Sequence, residues 1–312
     1  MHEDVWTGFS PFRSVSFSQR FLAKCYRLDQ LDKAEALSYQ NSYPFLYYLQ
    51  YGRKHYALAE KAPVELKPLL LFYGMTQLVK ACLLTKDPDY PKTTEVLAHG
   101  ASTRKKKKKN YAFFKDEVRI QKHGLVPYFA NTLFGIKQLE GRKYTMDQLL
   151  RRLPDLNSLF ADMLRQPPLY KMIPEDSGEL GIPFDILDDL HMTFPRFASF
   201  LERRLNINAS QISRTEKGIS IQGDTIKTKF PSSLSGQSYI PRSREHYDNM
   251  PEVLVHFLLL YNLSMISRYE TEWWSELFLQ TAADELPFIE TFLHLTKEKI
   301  PLLIARYLRD FM

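Results

Sequence analysis

Residues 64–84 read VELKPLLLFYGMTQLVKACLL, and this stretch decides the fold. Its apolar side chains surround most of a helix circumference, and a helix that is apolar on all sides must be buried on all sides. Gly74 interrupts the stretch at a cost of about 1 kcal/mol in helix propensity relative to Ala. The close approach of another helix would explain this glycine. The stretch therefore predicts a central helix that is enclosed by other helices.

The segments on its N-terminal side are also helical in pattern. Residues 18–40 carry spaced apolar side chains, which predict a helix that ends near Asn41. Residues 42–60 predict a second helix, which is rich in aromatic side chains.

The longest apolar stretch, residues 253–266, lies near the C-terminal end. It is too short for a membrane span and contains His256 and Asn262, so it predicts a buried core helix. Pro301 is predicted in the first turn of the last helix, where its missing N–H costs nothing.

Apolar and polar residues alternate in two places, which is typical of strands. One is the segment around residues 114–120, and the other is residues 219–230, where an antiparallel meander is predicted. The fold class is therefore mainly α, with a multi-helix, bundle-like single core over residues 1–312. Two small β-containing insertions, at about 110–126 and 206–230, interrupt this core. With their neighbouring loops the insertions cover residues 100–126 and 206–247.

The charge of the chain is concentrated in one segment. Six cations in succession form a basic run, made of Arg104, Lys105, Lys106, Lys107, Lys108 and Lys109, and they equal the formal net charge of +6. Elsewhere acids and bases balance, so we expect a local positive field that meets something acidic. An acidic protein surface, a nucleic acid or nucleotide, and a solvated loop without a partner are the three interpretations of this run.

Two other clusters could bind a ligand. Arg242, Arg244 and His246 follow a loop rich in Ser and Pro, and paired guanidinium groups suit a phosphate or a carboxylate. Arg268, Glu270, Trp273 and Trp274 directly follow the apolar helix and form a possible pocket. For both clusters the competing interpretation is structural. In the first, the arginines would be unpaired residues of a surface loop. In the second, a buried Arg–Glu pair would fix the end of the helix.

The common catalytic and nucleotide-binding motifs GxGxxG, GxxxxGK[ST], HExxH and GxSxG do not occur in this sequence. The eight histidines lack metal-ligand spacing, and Cys25 and Cys82 belong to no CxxC motif. We therefore predict no metal, no cofactor and no catalytic residues, which favours a non-enzymatic protein. The first residues lack the basic and apolar regions of a signal peptide, so a cytoplasmic location is expected.

Three blocks of this sequence resemble the YaaC-like family of bacterial proteins. They are LLLYNLSMISRYETEWW at residues 258–274, DEVRIQK at 116–122 after the basic run, and YGM at 73–75 with Lys80 and Ala81 behind it. The blocks span most of the chain in the family's order. The resemblance implies a cytoplasmic protein without an assigned catalytic residue. It also implies a partner in purine-nucleotide metabolism, with inosine monophosphate dehydrogenase as the candidate, because genes of the family often neighbour the gene of that enzyme.

The C-terminal helices are also similar to HEPN domains, many of which cleave or bind RNA. The HEPN signature is an Arg, four to six residues and a His. The pairs Arg119 to His123 and Arg242 to His246 each enclose three residues, which puts ribonuclease activity in doubt.

The leading hypothesis is a cytosolic, non-enzymatic interaction or regulatory protein whose basic run binds an acidic protein partner. The alternative is a protein that binds nucleic acid or a nucleotide through the same run together with Arg242, Arg244 and His246.

Overall fold

The computed structural model describes residues 5–103, 111–175, 178–223, 226–280 and 284–312. The described chain is mainly α-helical and carries three small antiparallel sheets, which confirms the predicted mainly α class with small β-containing parts. The helices are α1 (Val15–Leu28), α2 (Ala34–Lys61), α3 (Lys67–Leu84), α4 (Leu125–Phe134), α5 (Met146–Leu150), α6 (Asn157–Leu164), α7 (Asp185–Asp189), α8 (Phe194–Leu205), α9 (Glu252–Tyr269), α10 (Thr271–Gln280) and α11 (Glu285–Arg309). Short 3₁₀ helices cover Thr7–Arg13, Val64–Leu66, Thr94–Leu97, Phe113–Lys115, Pro154–Leu156, Ala209–Gln211, Ile226–Lys229 and Arg244–His246.

The strands are short and fall into three groups. They are β1 (Ala101–Ser102), β2 (Glu117–Ile120), β3 (Lys143–Thr145), β4 (Leu169–Lys171), β5 (Ile173–Pro174), β6 (Leu180–Ile182), β7 (Ile212–Arg214), β8 (Ile219–Ile221) and β9 (Tyr239–Pro241). The sheets have the orders β1-β2-β3, β4-β9 and β5-β6-β8-β7. Every neighbouring pair is antiparallel.

The chain divides into two compact units, and the second is made of residues 147–255. The first unit combines residues 1–146 with residues 256–312. The predicted second insertion, residues 206–247, lies within the second unit.

Helix α3 lies at the centre of the first unit, as residues 64–84 predict. It packs against α2, α4 and α11, and its side chains Leu71, Phe72 and Leu78 are fully buried. A Cβ atom on Gly74 would lie 2.7 Å from the Tyr56 ring of α2. The predicted close approach of a second helix at Gly74 is therefore confirmed. Apolar residues on α9, among them Leu258, are also fully buried, which confirms the predicted core helix.

The N-terminal helix boundaries differ from the prediction. One helix ends at Leu28 and the next begins at Ala34, so the predicted single helix over residues 18–40 is wrong. Gln30 and Lys33 produce this break by adopting positive φ angles of 55° and 58°, which side chains other than Gly rarely do. Neither residue type signals such a turn in a sequence.

Proline is also placed differently from the prediction. Pro301 lies inside α11, sixteen residues after its start at Glu285, and not in a first turn. Pro44 lies inside α2 at an exposed position, and it cannot donate the backbone hydrogen bond that other helix residues make.

The second unit encloses its own apolar core. Side chains from the four-stranded sheet, α7 and α8 meet there, including Leu180, Ile186, Phe197 and Ile221. Of the predicted meander, residues 219–221 form a strand, β8, which pairs with β7 and β6. The predicted strand over residues 226–230 is wrong, because Ile226–Lys229 forms a 3₁₀ helix.

Candidate functional site

The basic run, from Arg104 to Lys109, lies outside the described residues. Its flanking residues Thr103 and Tyr111 are described, and both belong to one hydrogen-bonded cluster. The side chain of Asn262 on α9 donates to Thr103 Oγ1 at 3.2 Å. The Tyr111 hydroxyl donates to Asp116 Oδ2 at 2.9 Å. The residues before and after the run are therefore held by neighbouring groups of the first unit.

Asp116 is the centre of this cluster. Its Oδ2 atom also accepts a hydrogen bond from Asn262 Nδ2 at 2.9 Å, and its Oδ1 atom accepts from the Glu117 N–H at 3.0 Å. The Asp116 carbonyl accepts from the Met146 N–H, which ties the start of β2 to the end of β3. A buried carboxylate is stable only when such donors surround it. Asp116 therefore joins two strands, helix α9 and the segment after the basic run.

Aromatic packing supports the same segment. The Tyr111 ring meets Trp273 of α10 edge to face, with 4.5 Å between ring centroids. Burial, followed by the nearby Asp116 carboxylate, raises the pKa of Tyr111, so its hydroxyl remains a donor. Phe113 is fully buried, and Phe114 contacts Phe288 edge to face at 5.2 Å. These three aromatic side chains therefore contribute to packing inside the first unit.

The outer face of the first sheet carries cations. Val118 and Ile120 of β2 point into the core, so Glu117 and Arg119 face outward. The register pairs Arg119 with Lys143 directly across the two strands, and with Ser102 on the other side. Lys143 Nζ also lies 3.6 Å from Glu117 Oε2. Two exposed cations thus occupy opposite positions in a sheet, an arrangement that is unfavourable on its own.

These cations line an open groove of about 370 Å³ together with Lys115, Ser102, Thr103, Asp116 and Glu117. Within the described part of the chain, Lys115 and Arg119 make neither an ion pair nor a side-chain hydrogen bond. We call the three residues Lys115, Arg119 and Lys143 the cationic sheet face. The groove begins at Ser102, two residues before the basic run.

Arg242, in the second predicted cluster, is engaged within the second unit. Its guanidinium group donates to both carboxylate oxygens of Asp189, at 2.7 and 3.2 Å, and lies 4.5 Å above the Tyr170 ring. Hydrogen bonds from Arg242 hold the pKa of Asp189 below its usual value. Burial and a hydrogen bond to Asp189 raise the pKa of Tyr170 to about 12.

Arg244 and His246 are also engaged in the second unit. Arg244 donates to the carbonyl groups of Leu190 and His191, just beyond the end of α7. The His246 side chain is only 2% exposed. Burial, aided by the positive charge of Arg152, lowers the pKa of His246 to about 3. Phosphate binding by these residues stays a prediction, and it would compete with the internal contacts.

The residues of the third predicted cluster, at the end of α9, make separate contacts in the described structure. Arg268 bonds to the Ser264 carbonyl of its own helix at 2.9 Å. Trp274 is buried, and its indole N–H donates to the Glu65 carbonyl at 3.0 Å. Trp273 packs on Tyr111, and Glu270 begins the turn into α10, where its carbonyl accepts from the Trp274 N–H. The tryptophans therefore act in packing, and ligand binding at this cluster stays a prediction.

The cationic sheet face and the role of Asp116 were not predicted from the sequence. The sequence does contain an indication of this face. Val118 and Ile120 alternate with Glu117 and Arg119, and in a strand with a buried apolar side the charged residues of such a pattern face outward. The register that opposes Arg119 and Lys143 joins residues 24 positions apart, and no local pattern encodes it.

No described helix combines the length and the apolar character that a bilayer span requires. Among the described residues, no three His, Cys, Asp or Glu side chains gather in a way that could hold a metal ion.

Comparison with known proteins places the chain in a family. The family model described as YaaC-like Protein matches residues 10–308, which is nearly the whole chain. The chain belongs to the YaaC-like family, in agreement with the three sequence blocks. No curated protein and no solved structure gives a match. The similarity to HEPN domains stays a prediction.

Proposed function

We propose that this protein is a cytosolic, non-enzymatic interaction protein that binds an acidic surface of a partner protein. The binding surface combines the cationic sheet face with the basic run, which follows Thr103 in the sequence. The observation that carries the proposal is the direct apposition of Arg119 and Lys143 on an exposed sheet face.

The energetics of this pair favour an anionic partner. Like charges directly opposite each other in a sheet are destabilising, and Glu117 offsets only Lys143, at 3.6 Å. Asp116, the other carboxylate that lines the groove, is buried and directs its oxygens to internal donors. A carboxylate from a partner would relieve the repulsion and give Arg119 the bidentate contact that its geometry suits.

The nearby aromatic residues favour a protein over a nucleic acid. Single-stranded nucleic acids bind by stacking bases on exposed aromatic rings next to cations. Tyr111 is packed against Trp273, and Phe113 is buried, so these rings are used inside the first unit. The described groove offers charge without a stacking platform.

The family resemblance supplies one partner to test, inosine monophosphate dehydrogenase from the same organism. The proposal requires only that the partner presents clustered carboxylates, and this enzyme is one candidate for that role.

The test is a binding titration with three fluorescent probes, an oligoglutamate peptide, a single-stranded RNA and a single-stranded DNA. The variant Arg119→Gln/Lys143→Gln removes two charges from the sheet face, and a second variant changes Lys105–Lys109 to Gln. A matched control, Arg196→Gln/Arg204→Gln, removes the same charge from exposed positions of α8. Immobilised wild type and variants are also used to capture purified inosine monophosphate dehydrogenase.

We expect the peptide to bind wild type and control equally and both other variants more weakly. An exposed ion pair typically contributes about 0.2–1 kcal/mol, so the loss of two should weaken peptide binding by up to roughly thirtyfold. Equal peptide binding by wild type and both variants would refute the proposal. Tighter binding of RNA or DNA than of peptide, with the same variant dependence, would establish the nucleic-acid alternative instead.

A further inference from the structure

His99 packs against two helices of the first unit, α3 and α9. Its ring centroid lies 5.0 Å from that of Phe72 and 6.5 Å from that of Tyr73, both on α3. The ring of Tyr261, on α9, lies 5.8 Å from His99. Phe72 and Tyr261 are buried, whereas His99 and Tyr73 are half-buried. The imidazole is therefore positioned by aromatic rings and remains partly open to solvent.

Two cations lie on the same helix faces as these rings. Lys80 follows Tyr73 on α3 by seven residues, and residues seven apart lie on one face of a helix, two turns from each other. Arg268 follows Tyr261 on α9 by the same number. Burial, followed by the positive charges of Arg268 and Lys80, lowers the pKa of His99, so both cations act on this ring. We call Lys80, His99 and Arg268 the His99 cluster.

The two cations of this cluster lack acidic partners within the described part of the chain. Lys80 makes neither an ion pair nor a hydrogen bond there, and its Nζ lies 5.9 Å from the centroid of the Tyr48 ring. Arg268 donates from Nε to the Ser264 carbonyl at 2.9 Å, and its Nη2 lies 3.1 Å from Met265 Sδ. These contacts turn its guanidinium group back along α9, towards the turn that carries Tyr261. Both cations are half-buried, and burial lowers the pKa of Lys80.

The sequence explains why no carboxylate compensates these charges locally. The segment that carries His99 and the helices around it contain neither Asp nor Glu over residues 36–59, 66–86, 96–103 and 253–269. Partial burial of cations without a counter-ion is unfavourable, and a bound anion would offset this cost. The His99 cluster is therefore suited to an anion from outside the chain.

We propose that the His99 cluster binds the phosphate group of a small molecule. Lys80 supplies a compact charge, Arg268 supplies the N–H groups of Nη1, and the imidazole of His99 supplies one N–H donor. A phosphate monoester carries about 1.5 to 2 negative charges at pH 7 and three acceptor oxygens, so it matches two cations better than a carboxylate does. The half-buried ring of Tyr73 beside His99 favours an ester with an apolar or aromatic body.

The shape of the cluster favours a small molecule over a nucleic acid. Nucleic acids are bound by cations that follow an extended backbone, and their affinity grows with the number of phosphates that are contacted. The His99 cluster instead presents two half-buried cations around one ring. This inference does not depend on the proposed binding of an acidic partner, because it uses none of the residues of the cationic sheet face.

The first test is NMR spectroscopy of the full chain with four probes, which are phenyl phosphate, inorganic phosphate, a single-stranded RNA and an oligoglutamate peptide. We expect phenyl phosphate to bind and to raise the pKa of His99, measured from its ring C–H signals, because a nearby dianion stabilises the imidazolium form. The ring signals of His294, which is exposed on α11, are the internal reference and should not shift. Inorganic phosphate should bind the same cluster more weakly, since it lacks the aromatic body.

The second test is calorimetric titration of variants with phenyl phosphate. Lys80→Gln and Arg268→Gln should each weaken binding by about tenfold or more, because hydrogen bonds to charged groups are the stronger ones. Arg268→Lys keeps the charge without the planar fork and should bind with intermediate affinity. The control Arg20→Gln/Arg306→Gln removes two exposed cations of α1 and α11, and it should bind as wild type does. Circular dichroism confirms that each variant is folded.

Three results would overturn the proposal. The first is a wild type that does not bind phenyl phosphate. The second is binding that Lys80→Gln and Arg268→Gln leave unchanged, or that leaves the His99 signals in place. The third is tighter binding of the RNA or of the peptide than of phenyl phosphate, with the same dependence on Lys80 and Arg268, which would assign the cluster to that macromolecule.

Discussion

At the scale of single residues, one buried carboxylate organises the candidate site. Asp116 accepts from Tyr111 after the basic run, and from Asn262, which in turn donates to Thr103 before it. Charged hydrogen bonds of this kind are stronger than neutral ones, and a buried acceptor that loses a donor bears the full cost of its desolvation. The described residues Thr103 and Tyr111, which lie on either side of the run in the sequence, are therefore coupled to the packing of α9.

Replacement of Asn262 tests this coupling. Asn262→Ala removes two donated hydrogen bonds, so the free energy of unfolding should fall by about 2–3 kcal/mol in urea titration. The control is Asn131→Ala, an exposed residue of α4, which should change stability by less than about 0.5 kcal/mol. An Asn262→Ala protein as stable as wild type would show that Asp116 is satisfied without this donor.

His246 gives the stability of the chain a defined pH dependence. Its pKa is about 3 in the folded protein, because of burial, and near 6.5 in an unfolded chain. Between these values the unfolded state binds the additional proton, so stability falls as the pH is lowered from about 6.5 towards 3. At pH 5 the loss relative to pH 7 should be about 2 kcal/mol from this residue alone.

The measurement is urea unfolding at several pH values for wild type and His246→Gln. The glutamine variant should show a shallower loss of stability between pH 7 and pH 5. The half-buried His99, whose pKa is also lowered by burial, adds a slope of the same sign to both proteins. Parallel curves for the two proteins would contradict a buried, neutral His246.

At the scale of elements, the crossing of α2 and α3 depends on two glycines. A Cβ atom on Gly52 would lie 2.7 Å from Leu78, and one on Gly74 would lie 2.7 Å from the ring of Tyr56. Tyr56 is buried, so its ring has little room to move. Close packing of two backbones explains why glycine is present in the middle of two long helices.

Gly74→Ala separates the two effects of this residue. Helix propensity alone predicts a gain of about 1 kcal/mol. The clash with Tyr56 opposes this gain, and overpacking of a core typically costs about 1–3 kcal/mol, so we expect a net loss of thermal stability. The double variant Tyr56→Leu/Gly74→Ala should lose less stability than the sum of the two single variants. The reason is that the smaller leucine side chain leaves room for the added Cβ atom. A more stable Gly74→Ala protein would refute the close approach.

The elements also show what sequence reasoning could and could not predict. The buried helices α3 and α9 were predictable, because a helix that is apolar on all sides must be buried in any arrangement of the other elements. Residues 226–230 misled the prediction because buried Ile226 and Phe230 are four apart, which fits a strand on alternate positions and also a helical turn. The cationic sheet face depends on the pairing of Arg119 with Lys143, which only the folded chain establishes.

At the scale of the whole molecule, the net charge of +6 matters mainly through its distribution. The cationic sheet face belongs to the first unit, whereas Arg242 and Arg244 in the second unit are engaged by Asp189 and by backbone carbonyls. The basic run lies next to this face in the sequence, and clustered positive charge attracts an acidic partner at long range. Such attraction raises the association rate more than it slows dissociation.

The basic run and the cationic sheet face should therefore both increase the rate at which an acidic partner associates. Neutralising either one should slow association with the oligoglutamate probe and weaken its salt dependence, while dissociation changes less, as is typical of charges at an interface rim. If both contact the same probe, the combined variant should lose less than the sum of the two separate losses, since each loss includes the coupling between the two sites. Stopped-flow fluorescence across salt concentrations measures these rates, with Arg196→Gln/Arg204→Gln as the charge-matched control. Strictly additive losses would mean that the two sets of cations bind independently, and that the groove beside Ser102 is not part of the surface used by the run.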